Sequence, residues 1–153
     1  MSNAVYAHLV YGFVVMNDEG DAPAENEPPQ WLAAGDGDIP KIITRIENII
    51  PPVEKYGEGK NPEVREKYET YWRAIRDATN RSGVRIIDHC SSQCHMWILG
   101  VAESVHSEWR SEVARLGQKI EAMPEWRDVL KTFCDRAGIP FTEPEWLLAP
   151  FSE

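Results

Sequence analysis

The hydrophobic and polar positions change rhythm several times along the chain, and each change predicts an element. Val5 to Met16 (VYAHLVYGFVVM) is dense in β-branched and aromatic residues and stops at Asn17-Asp18-Glu19-Gly20, which predicts a buried first strand, central in its sheet. After a long polar stretch, Asp38 can cap a helix whose first turn holds Pro40, where a missing N–H costs nothing. Ile39, Ile42, Ile43, Ile46, Ile49 and Ile50 fall on a helical period until Pro51-Pro52 forbids continuation, so one helix face is expected to be a stripe of isoleucine. Asn61-Pro62 repeats the start signal. Val64, Tyr68, Tyr71, Trp72 and Ile75 then form a second amphipathic face up to about Asn80, with Gly83 as the stop.

Val84 to Cys90 and Cys94 to Ala102 read as two strands joined by the polar turn Ser91-Ser92-Gln93. Val105, Trp109, Val113, Leu116 and Ile120 keep a helical spacing that Gly117 weakens. Pro124 opens a clearer helix, in which Trp126, Val129, Leu130, Phe133, Cys134 and Ala137 share a face, Gly138 fits the left-handed stop and Ile139 the apolar contact after it. Glu145 to Phe151 (EWLLAPF) is too apolar for a loose tail and reads as an edge strand, the place where Pro150 is tolerated. This order predicts an α+β fold. A small antiparallel sheet would comprise the N-terminal strand, the 84–102 hairpin and the C-terminal edge strand, with three to four helices packed on it. No glycine-rich strand–turn–helix is present, so a Rossmann or P-loop site has no support.

The chain's 153 residues fit one domain, 1–153, with an acidic loop at about 17–38. Residues 1–40 hold seven acids and no Lys or Arg, so they carry most of the net charge of -9. Direct binding to nucleic acid or to an anionic membrane surface is therefore disfavoured, since both need concentrated positive charge. The same acidic loop leaves a DNA-mimic inhibitor as one alternative. No apolar run is long enough for a membrane span, no signal peptide is evident, and three cysteines do not suggest a disulfide framework, so a cytoplasmic setting is expected.

The chemistry concentrates in His89-Cys90-x3-Cys94-His95. Four such ligands could hold zinc. A three-residue turn, however, would set Cys90 against Cys94 on one side of the hairpin and His89 against His95 on the other, so no cofactor is expected and zinc, or a thiol activated at Cys90, stands as the alternative. The same parity would gather Arg85, Ile87, His89, His95, Trp97 and Leu99 on one face. With Tyr11, Ser91 and Ser92 this face could hold a small anion or nucleotide. Arg85 would pair with phosphate, Tyr11 and Trp97 would stack, and His89, Ser91, Ser92 and His95 would donate hydrogen bonds.

Tyr11-Gly12-Phe13, His89-Cys90-Ser91, Phe133-Cys134 followed by Gly138-Ile139, and Trp146-Leu147-Leu148-Ala149 together resemble small accessory proteins of tailed bacteriophages. Cys94 and His95 fall outside that pattern. The resemblance implies a protein that occupies a host target or sequesters a nucleotide signal of an immune system. The expectation is thus a non-enzymatic, anti-defence binding protein whose partner is a nucleotide-like small ligand or a host protein, with homo-oligomerisation left open.

Overall fold

β1 (Val5–Val14) is the strand around which the sheet is built. The computed structural model describes residues 5–15, 39–54, 61–91, 94–109 and 121–152, and among these the side chains of 7–15, 39–54, 61–87, 97–107 and 121–150. The acidic stretch at about 17–38 lies outside them. One edge of β1 pairs antiparallel with β5 (Glu145–Ser152) from Val5↔Ser152 to Gly12↔Glu145. The other edge is shared by β4 (His106–Trp109), opposite Tyr6–Leu9, and β3 (Cys94–Val101), opposite Gly12–Val14. β2 (Val84–Ser91) pairs antiparallel with β3 and reaches β5 through a short parallel ladder, Cys90↔Phe151 and Ser91↔Ser152. The sheet order is β3-β2-β5-β1-β4, and the additional β1–β3 pairing closes four strands into a ring.

Closing that ring brings β1 and β3 into close contact at Gly12↔Gly100. A Cβ on Gly12 would lie 2.3 Å from the Leu99 carbonyl oxygen, and one on Gly100 would lie 2.3 Å from Val10 Cγ2. Glycine at both positions is what permits the approach. Where β3 gives way to β4 through a short 3-10 turn (Ala102–Ser104), the ladder to β1 is interrupted. The buried Ser104 hydroxyl fills the gap, accepting from Tyr11 N at 2.9 Å and donating to Val101 O at 2.7 Å.

The two sheet faces bury different residues. Val10, Ile87, Ile98 and Ala149 form a small cluster on the side the ring encloses. The opposite face, with Phe13, Val84, Leu99 and Val101, packs with α1 (Ile39–Ile46) and α3 (Trp126–Ala137) through Ile42, Ile43, Leu130, Phe133 and Cys134. Each fully buried aliphatic side chain here contributes ~1.5–3 kcal/mol. α2 (Pro62–Ser82) is the longest helix among the described residues and buries only Ile75 and Ala78 of its residues. The architecture is therefore α+β, a small and mostly antiparallel sheet with three helices among the described residues.

The helix ends follow local rules. Asn61 Oδ1 accepts from Glu63 N at 3.0 Å and Pro62 occupies the first turn, while Gly83 and Gly138 close α2 and α3 with φ near 70° (68° and 70°). α1 departs from expectation: it stops at Ile46, well before Pro51. Asn48 takes the left-handed conformation (φ 51°), its N–H reaches Arg45 O at 3.4 Å, and Ile49 N–H reaches Thr44 O at 3.0 Å, the paired bonds of a Schellman stop.

Three other expectations are corrected. The helix expected over 105–120 begins instead as β4, because β1 has an edge at Tyr6–Leu9 that needs hydrogen-bond partners and pairing there outweighs a weak helical spacing; residues 110–120 lie outside the described residues. β5 lies inside the sheet order rather than at its margin, although among the described residues its second edge is paired only at Phe151 and Ser152, beyond Pro150. The hairpin connection is two residues, not three, since Ser91 pairs with Cys94.

Candidate functional site

The shorter turn changes what the hairpin can offer. Two-residue connections match the right-handed twist of paired strands, and a one-residue change in register exchanges the faces of every residue on one strand relative to the other. The observed pairs are Arg85↔Gly100, Ile87↔Ile98, Asp88↔Trp97, His89↔Met96, Cys90↔His95 and Ser91↔Cys94. Cys90 is thus opposite His95 rather than Cys94, and His89 is opposite Met96 rather than His95. Ile87 belongs to the small cluster within the ring, whereas Leu99 and Trp97 belong to the core under the helices. Arg85 alternates with Ile86 and shares the side of Ile87, so Arg85 and Trp97 stand on opposite faces. The single platform expected from Arg85, Ile87, His89, His95, Trp97 and Leu99 does not form.

Tyr11 shares the Trp97 face, where its ring centroid lies 5.8 Å from those of both Trp126 and Trp146. Trp126 Nε1 in turn donates to the Glu103 carboxylate. Tyr11 is therefore engaged in an aromatic cluster. The side chains of His89, Cys90, Ser91, Cys94 and His95, and all of Ser92, lie outside the described residues. Among the described residues no three or more His, Cys, Asp or Glu gather as a metal site.

One pair was invisible in the sequence: His8 Nδ1 lies 2.7 Å from Ser107 Oγ, 99 positions away. Partial burial, and then the Arg85 guanidinium, holds this imidazole below its ordinary pKa. A serine nucleophile needs a base that can become imidazolium, and a nearby cation opposes that state. The pair is read as a cross-strand hydrogen bond.

The strongest site follows from the early stop of α1. With Asn48 turning the chain, Ile49 to Glu54 leave the helix as an irregular strap, bent at Val53 and Glu54, that Pro51 and Pro52 stiffen. α2 fastens the strap's far end: Tyr68 Oη donates to the Glu54 carbonyl at 2.8 Å, and Lys67 Nζ pairs with the Glu54 carboxylate. The bond from Lys67 pulls the Glu54 pKa down and the same bond pushes Lys67 up. Between strap and helix runs a groove of about 660 Å³. Ile49, Ile50 and Pro52 form one wall, Thr70, Tyr71 and Ala74 the other, and Glu63, Glu66 and Lys67 line one end. Ile50 is 82% exposed and neighbouring Val53 96%, while Trp72 stands 57% exposed farther round α2. Large exposed aliphatic side chains beside a preformed groove mark an interaction surface.

The chain matches no protein-family model, no curated protein and no solved structure.

Proposed function

We propose that this chain is a non-enzymatic binding protein that captures a partner protein in the groove between the 49–54 strap and α2. The observation that carries this reading is the exposure of Ile50 and Val53 on a strap already fastened by Tyr68 and Lys67. Covering each of these side chains is worth ~1.5–3 kcal/mol, and a fastened strap has little conformational freedom left to lose on binding. The reading agrees with the resemblance to phage accessory proteins, some of which occupy a host target, and it sets the action in the host cytoplasm. Capture of a nucleotide is the weaker branch, because Arg85 and Trp97 cannot clamp one ligand from opposite faces of the sheet. Native mass spectrometry of the protein purified from host cells tests it. A partner chain retained by the parent and lost in Ile50→Asp supports the groove; a nucleotide retained equally by both proteins would replace protein capture with ligand capture.

A second reading has one observation in its favour. Cys90 and His95 are directly opposed in register, which brings one thiol-bearing and one imidazole-bearing residue to a single cross-strand position. Zinc or thiol chemistry would start from that pair. Stoichiometric zinc in the purified parent that is lost in Cys90→Ser would establish it.

A further inference from the structure

Resting on that reading of the groove, we propose that its occupant is a short amphipathic helix of the partner protein that carries arginine or lysine beside its apolar row. The dimensions and the chemistry of the walls lead to this occupant. From Glu63 to Ala74 the groove follows α2 for about 16 Å, the length of roughly three helical turns. Its walls are the side chains of Ile49, Ile50, Pro52, Tyr71 and Ala74, not the edge of a strand. An extended segment laid there would leave main-chain N–H and C=O groups facing apolar atoms, whereas a helix satisfies its own.

The charge comes from the end of the groove. Lys67 is the cation among the lining residues, and it is already held by Glu54. Arg65, on the flank of α2 away from the groove, is held by Glu69 at 2.8 Å. Glu63 and Glu66 sit three residues apart and so neighbour each other on the helix surface, and neither has an ion-pair partner among the described residues. The N-terminus of α2 offsets only about half a charge. What remains among the described residues is a negative end on an apolar groove, which a cationic side chain flanking an apolar helix row complements.

Titration with synthetic peptides tests the inference separately from the groove itself. The probe is a labelled helical peptide of about 14 residues with leucine at a three-four spacing and arginine flanking that row; its twin has glutamate in place of each arginine. Binding is followed by fluorescence anisotropy. The arginine peptide should bind at least about fivefold more tightly than its twin. It should lose about fivefold in affinity in the Glu63→Gln/Glu66→Gln variant, and it should weaken with added salt. Ile50→Ser, at an exposed position that leaves folding intact by circular dichroism, should weaken both peptides. If the two peptides bind alike and Ile50→Ser weakens both, the groove stands and the cationic partner is refuted. If neither peptide binds, or Ile50→Ser changes nothing, the groove reading falls and the inference falls with it.

Discussion

Tyr68 Oη donates a 2.8 Å hydrogen bond to the main-chain carbonyl of Glu54, so a side chain nearly two turns into α2 sets the position of a strap that left α1 at Asn48. Together with the Lys67–Glu54 pair, this bond holds the groove wall in place. Tyr68→Phe removes one partly exposed hydrogen bond and is expected to cost no more than about 1 kcal/mol of global stability. The backbone at Ile50, Val53 and Glu54 should nevertheless move more freely, read as lower NMR order parameters than in the parent. Unchanged order parameters there would refute the fastening by Tyr68.

Asn48 decides where that strap begins. Its positive φ of 51° suits asparagine or glycine and strains a β-branched side chain. Asn48→Gly should leave the melting temperature level or slightly raised, and Asn48→Val should cost about 1–2 kcal/mol. Equal thermal stability of the two variants would contradict the left-handed stop.

Ser104 stands in for a missing strand residue. With its hydroxyl removed, the Tyr11 N–H loses its acceptor at a point where the β1 ladder passes from one partner strand to the next. Ser104→Ala should therefore lower the unfolding free energy by about 1–3 kcal/mol, read from the denaturant midpoint at unchanged m-value. A midpoint equal to the parent's would refute this role.

Cys134 is inert in the folded protein. Burial first, and then Asp135, pushes its thiol from 9.0 up to about 12, with Lys131 opposing weakly. The neutral thiol is the form the core accepts. The stability it contributes is fully present below about pH 9, the unfolded value, and is lost as pH rises from there through about 12. Against a Cys134→Ala reference, the parent should lose stability over that window and none between pH 6 and 8. At pH 8, peptide mapping after iodoacetamide should find Cys134 unmodified until denaturant is added.

How much of this was legible varies with how local the cause is. α2 and α3 could be read nearly to the residue, because Asn61, Pro62, Gly83 and Gly138 act on the turns beside them. Asn48 carried a local signal too, but Pro51-Pro52 offered a louder stop three residues on, and the isoleucine period ran through it. The hairpin register was not legible, since Ser91 can join either the turn or the strand and only pairing with Cys94 chooses. The candidate groove was missed for a related reason. The period places Ile50 on the helical isoleucine stripe, whereas it lies beyond the helix end and faces solvent; Tyr71 does sit on α2, but the period says only that a side chain is apolar, not whether anything covers it.

By itself, then, the order of residues determined the α+β character, the helices with their capped ends and the strands with their rhythm, because each rests on neighbours within a few positions. Tertiary structure alone decided that β4 takes the free stretch of β1 and that Arg85 and Trp97 part to opposite faces. It also decided that the strap lies open beside α2. Those outcomes depend on hydrogen-bond ladders and packing between residues far apart in the chain, where one position of register or one early helix stop changes which surface meets solvent.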